Sequence, residues 1–290
     1  MFFISVNANG TQNDNDIVFK FGVSSSAFKN ISQNDISAAL KAYAVAIKKE
    51  QNLNVELNIS LLTGSTKEIG ETFTQAWLDG VSVTVREYME MGIKPEYVFV
   101  GDKGGTPYIY YVLIVRNDDN VSIETLDTRK IVTCETVGMG LSLDWLETLI
   151  VKSGLKQQTD QPVIVENSSK AILQVFFKQA DTALVTREAF EVACELNPQL
   201  QKKLRVLSES PPFISAFFMF HSLTYQKKSW PIVEKAILNL HKTPGGRQLL
   251  TIIQSRKMIK WPSSILKSTI MFLEEHEKLV KKPLFRETRQ

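Results

Sequence analysis

The stretch CETVGMGLSLDW, residues 134–145, holds the pattern best suited to chemistry in this 290-residue chain. A β-branched run, Lys130-Ile131-Val132-Thr133, leads in, glycines stand at 138 and 140, and an amphipathic stretch leads out. A strand, a glycine turn and a helix start bring backbone N–H groups to one point, where the helix dipole adds positive potential. That is how a backbone holds a phosphate-like anion. The lip of this corner carries Met139 and Leu141 where hydroxyls would complete an oxyanion site, with Thr136 just upstream and Ser142 just downstream. Taken alone, a Gly-x-Gly turn serves plain backbone geometry equally well.

Other groups suited to anions lie further off. Arg86 and Arg187 offer guanidinium forks that match phosphates and carboxylates, and each is equally suited to a solvent-exposed place. Tyr108 and Tyr110 alternate onto one side of an extended stretch, with ligand contact or core packing open to them. No Ser-His-Asp or Cys-His set with matching roles is present, so the chain reads as a binder and not an enzyme. Asp144, Glu147 and Asp181 read as helix-start or strand-end residues, and Trp77 and Trp145 as core. His221, His241 and His276 are scattered, which predicts no metal site and no cofactor. Cys134 and Cys194 match no zinc spacing; they form one bridge in an oxidising compartment or remain buried thiols.

These residues need a scaffold, and the chain from Ile17 alternates strand and helix patterns. IVFKFGVS reads as a buried strand running into a polar loop that holds Ser24 and Ser25. A helix follows Ser32, with Ile36, Leu40, Tyr43 and Ile47 on one face. STKE at 65–68 is a capping box that opens a helix ending near Asp79-Gly80. VSVTV and YVFVG are short strands separated by a helical turn at 86–91. A second series starts at KIVTCE, passes through the glycine corner into a helix from about Leu141 to Lys152, and continues through QPVIVE and ADTALV. After FISAFFMFH the rest reads as helical, ending with a helix from about Ser264 to Lys281.

Alternating strands and helices with apolar strands predict an α/β fold of mostly parallel sheets covered on both faces. Two such series predict two lobes, joined by the long strands YIYYVLIVR and FISAFFMFH acting as crossovers. Residues 17–107 and 211–290 build the first lobe and 108–210 the second, with a ligand cleft between them. Residues 1–16 form a disordered leader or the remnant of a signal peptide. The net charge of +3 is spread evenly, which argues against a nucleic-acid partner, and no apolar run approaches the ~18 residues of a membrane span.

The run QADTALVTREAFEVACELNPQLQKKLRVLSESPP resembles the phosphonate-binding protein family of ABC importers, the type II periplasmic binding proteins for phosphonate, phosphite and phosphate. Gln-Ala-Asp stands before a strand, a hydroxyl opens the next helix, and a strand leads to Ser-Pro-Pro. LNLHKTPGGRQLLTIIQSRKMIKW is similar to the family's closing segment, and LDGVSVTVREY and GGTPYIYYVLIVR match in pattern. The resemblance implies a two-lobe type II fold, periplasmic location, a monomer, and a small anionic ligand passed to an ABC permease, or in the alternative a sensing module beside a membrane sensor. Carried over by position, it implies ligand contacts from Ser24, Ser25, Thr84, Tyr88 and Thr186, with Tyr108 and Arg187 nearby. At the opening corner, Thr136, Gly138, Met139, Gly140 and Leu141 stand where the family carries a Ser-Thr-Ser run. Each lost charge-assisted hydrogen bond costs about 1.5–3 kcal/mol, which implies a ligand larger or less polar than free phosphate.

Overall fold

The computed structural model describes residues 16–280, except 29–31, 33, 36, 39, 40, 43, 44, 46–53, 137 and 156–160. The expected apolar face of Ile36, Leu40, Tyr43 and Ile47, and the leader at 1–15, lie outside the described residues. In chain order the strands are β1 (Asp16–Ser24), β2 (Asn54–Leu62), β3 (Gly80–Thr84), β4 (Tyr97–Asp102), β5 (Tyr111–Arg116), β6 (Ile131–Cys134), β7 (Val163–Val165), β8 (Thr182–Thr186), β9 (Leu204–Glu209), β10 (Ala216–Phe220) and β11 (Lys257–Pro262). They form two sheets, ordered β11-β4-β10-β3-β1-β2 and β7-β6-β8-β5-β9. The fold is α/β, as expected.

Both sheets are mixed. β1 runs parallel to β2 and β3, and β6 runs parallel to β7 and β8. The reversed members are β10, antiparallel to β3 and β4, the edge strand β11, antiparallel to β4, and β5, antiparallel to β8 and β9. β10 and β5 are the strands by which the chain enters a sheet from the other one, so each arrives from the opposite end. The crossings themselves are short and lie side by side. Ile109 and Phe213 exchange backbone hydrogen bonds at 2.8 and 2.9 Å, and Ser210 returns both a backbone and a side-chain bond to Tyr111.

Burial follows from this arrangement. Val112, Leu113, Ile114 and Val115 are all inaccessible, as expected of a strand covered on both faces. One apolar cluster contains Val81 and Val83 of β3, Leu113 of β5, Ile131 of β6 and Phe213 from the crossing. The core is therefore continuous from one sheet to the other.

Two sequence expectations need correction. The segment after β10 is not wholly helical: Lys257–Pro262 is an edge strand in register with β4. Its mixed residues carry little strand pattern, and its pairing is supplied by a partner far back in the chain. Trp77 is not core but 59% exposed. The Thr66–Thr74 helix ends early, and Ala76 turns the chain at φ 57°, which carries Trp77 off the apolar face.

Candidate functional site

On the first sheet, β3 runs straight into the Val85–Met91 helix, and Thr84 caps it. Thr84 and Glu87 form a reciprocal capping box, the local consequence of a Thr-x-x-Glu spacing. The Glu87 carboxylate, 8% exposed, accepts from the Thr84 amide at 2.8 Å and the Thr84 hydroxyl at 2.9 Å, and from the Ser24 hydroxyl at the end of β1. The hydroxyls of Ser24 and Thr84, expected to face a ligand, are thus directed at an internal anion. Ser25 is half-buried in the turn that follows. Tyr88 packs edge-on against Phe217 at 5.4 Å, and burial raises its pKa.

On the second sheet, β6 leads through the glycine corner into the Ser142–Lys152 helix. Gly138 takes φ +95°, a conformation only glycine adopts without strain. The corner's own groups meet one another. The Met139 amide donates to the Thr136 carbonyl at 3.0 Å, and the Met139 carbonyl accepts from the Ser142 amide and hydroxyl at 3.0 and 2.7 Å. The Leu141 amide donates to the Tyr111 phenol at 3.2 Å. Met139 and Leu141 are each 6% exposed and belong to the continuous apolar cluster, together with Tyr111, Trp145 and Phe213. Gly140, between Met139 and Leu141, is exposed.

β8 leads into the Arg187–Leu196 helix, which Thr186 caps by accepting from the Ala189 amide at 3.3 Å. Thr186 pairs in register with Tyr111, so this helix start stands beside the crossing. Arg187 lies over the Tyr110 ring at 4.5 Å and pairs with Glu209. Tyr108 is half-buried and packs against the continuous core.

The two sheets meet through first-turn residues. Arg86 of the Val85–Met91 helix bonds Asp144 of the Ser142–Lys152 helix at 2.8 Å, and Glu277 lies 3.5 Å from the same guanidinium. This bond links the first turns of the helices that follow β3 and β6, and helix starts favour anions. Arg86 serves this bridge. Sequence spacing passed over Glu87 and Tyr111, although the Thr84-x-x-Glu87 capping signal was readable. It also passed over the approach of His276 to Asp144 and Glu147, which offer ligand atoms within 4.8 Å of one another.

Comparison with known proteins agrees with this architecture. The family model described as ABC transporter, phosphonate, periplasmic substrate-binding protein matches residues 77–261. Among solved structures, PhnD1 from Prochlorococcus marinus (MIT 9301) in complex with methylphosphonate is 15% identical, with a TM-score of 0.53, covering 91% of this chain and 99% of that one. XAC2383 from Xanthomonas citri bound to ATP is 13% identical, with a TM-score of 0.57 and coverage of 91% and 98%. The binding protein component of an ABC phosphonate transporter from Pseudomonas aeruginosa is 14% identical, with a TM-score of 0.51 and coverage of 91% and 88%. Among curated proteins, none matches in sequence. At these identities the structural likeness establishes the type II periplasmic binding fold, and the family model establishes the family. The chain belongs to the periplasmic substrate-binding proteins of phosphonate ABC transporters.

Proposed function

We propose that this chain is a monomeric solute-binding protein that works in the periplasm, holds a small anion between its two lobes and delivers it to an ABC permease. The lobes are residues 17–107 with 211–290, and 108–210. The observation that supports the reading is the Arg86–Asp144 contact at 2.8 Å, which links the first turn after β3 to the first turn after β6, with the Thr186 cap one strand away from β6. Ligand contacts would come from Thr136, Gly138 and Gly140 at the corner, from Ser25 and Tyr88 on the first lobe, and from Thr186 beside the crossing. Methylphosphonate in PhnD1 supports a phosphonate-like anion as the starting class. The apolar corner and the donors already turned to Glu87 support a ligand larger or less polar than phosphate itself.

A panel of phosphate, phosphite, methylphosphonate, larger organophosphonates, sulfonates and carboxylates tests this by thermal unfolding. A ligand present at 100 times its Kd stabilises by about 2.7 kcal/mol, so at least one member should raise the melting temperature in a concentration-dependent way. Folded protein that responds to none of them overturns the reading. A second reading, a sensing module beside a membrane sensor, is favoured by one observation: the Ser24 and Thr84 hydroxyls are directed at Glu87, as suits a site released from tight phosphate capture. A gene neighbourhood holding a histidine kinase or cyclase in place of a permease and ATPase would select it.

A further inference from the structure

Three ligand-type side chains meet between the Ser142–Lys152 helix and the Lys267–Leu279 helix. His276 Nε2 lies 3.6 Å from Asp144 Oδ1 and 3.8 Å from Glu147 Oε2, and His276 and Glu147 are 8% and 4% exposed. The other ring nitrogen places the imidazole proton. The Thr148 hydroxyl donates to the Asp144 carbonyl at 2.8 Å, which leaves its oxygen to accept from His276 Nδ1–H at 2.9 Å. The neutral ring then carries its free electron pair on Nε2 and turns it, inside the protein, toward two carboxylate oxygens that stand beyond hydrogen-bond reach.

His276 Nε2, Asp144 Oδ1 and a Glu147 oxygen converge within 4.8 Å of one another, while Arg86 holds the other oxygen of Asp144. Zinc bonds of about 2.0–2.2 Å in tetrahedral geometry place ligand atoms roughly 3.4 Å apart; the two nitrogen–oxygen distances found here, 3.6 and 3.8 Å, exceed that by a few tenths of an ångström. We propose that Asp144, Glu147 and His276 form a site for a divalent first-row transition ion, zinc above all, with Thr148 as the positioning residue that orients the imidazole. One imidazole and two carboxylates are a mixed N/O donor set that such ions accept, and a hydrogen bond from the second ring nitrogen is the usual support for a ligating histidine.

The position gives the ion a structural consequence. Asp144 would bridge it to Arg86 through its second oxygen, Oδ2, at 2.8 Å. The Lys152–Glu275 pair at 2.8 Å already ties the same two helices. A bound ion would thus fasten the C-terminal helix to the helix that opens at the glycine corner, and through Arg86 to the Val85–Met91 helix of the other sheet.

The test is titration of the untagged full chain, freed of metal by EDTA dialysis, with Zn2+ and separately with Co2+. The expected result is one saturable equivalent, visible Co2+ absorption and a raised melting temperature. His276→Gln and Glu147→Gln should abolish all three, His221→Ala should change none, and Thr148→Val should weaken binding by about 10–100-fold. Absence of saturable binding, or binding that survives in both His276→Gln and Glu147→Gln, overturns the proposal. NMR of the histidine rings reads the site without any substitution. Zinc-dependent shifts at His276 support it, and shifts confined to His221 or His241 overturn it.

Discussion

The Tyr111 phenol accepts the Leu141 amide proton at 3.2 Å and donates its own to the Gly138 carbonyl at 2.7 Å. The glycine corner is therefore closed from within the protein, by a residue that opens β5 next to the crossing. Burial pushes the Tyr111 pKa far up, so the phenol stays protonated and can make both bonds. What would be a free helix-start amide in an open oxyanion site is occupied by a side chain.

Tyr111→Phe should leave the Leu141 amide and the Gly138 carbonyl without their buried partner. The expected loss is about 1–3 kcal/mol, and each kcal/mol lowers the melting temperature by roughly 2–4 °C in a chain near this size. Differential scanning calorimetry reads it. The same change exposes an amide to ligand, so stabilisation by added anions should increase. An unaltered melting temperature would show that the phenol contributes nothing at the corner.

Glu87→Gln should tighten anion binding several-fold, and more so at low salt, because it removes a buried negative charge from the end of the first sheet. Glutamine keeps an oxygen for the capping box, so stability should change less than in Glu87→Ala. The alanine variant strands the Ser24 and Thr84 donors at a cost of about 1.5–3 kcal/mol. Isothermal titration with the anion that gives the largest thermal shift measures the effect; weaker binding in Glu87→Gln would mean the carboxylate assists the ligand.

The corner's two glycines should differ sharply. At φ +95°, Gly138→Ala should cost about 1–2 kcal/mol for the left-handed backbone alone. At Gly140 an added methyl meets open space, so Gly140→Ala should stay within about 0.5 kcal/mol. Urea unfolding of both variants checks the contrast, and equal losses would refute it.

Tyr225 should give the protein an alkaline limit. Burial first, then Glu234 and Glu96, push its pKa up to about 12, against about 10 in an unfolded chain. The folded state favours the neutral phenol, so this contribution to stability is fully present below pH ~10 and is lost as pH rises toward 12. Its Oη is buried with no hydrogen-bond partner among the described residues. Tyr225→Phe should then leave neutral-pH stability nearly unchanged and flatten the alkaline loss, as read by melting temperature against pH alongside ultraviolet titration of the tyrosines.

The α/β alternation and the glycine corner were legible because each is written within a few residues. The unbroken apolar run of β5 marks a strand buried on both faces, and the Ser65–Glu68 capping box starts a helix where expected. β11 was not legible, since a short mixed segment becomes a strand only when β4 offers it a partner. Trp77 was misplaced because helical periodicity does not announce that the helix stops at Thr74.

By itself, then, the sequence determined which segments become strands and helices and where helix starts could present N–H groups, because capping and periodicity act over one or two turns. Only the tertiary structure decided which of those donors stay available. Tyr111 reaches Leu141 across 30 residues of chain, Ser24 reaches Glu87 across 63, and Thr148 meets His276 across 128. A hydrogen bond depends on distance in space, and at such separations the order of residues along the chain carries no trace of it.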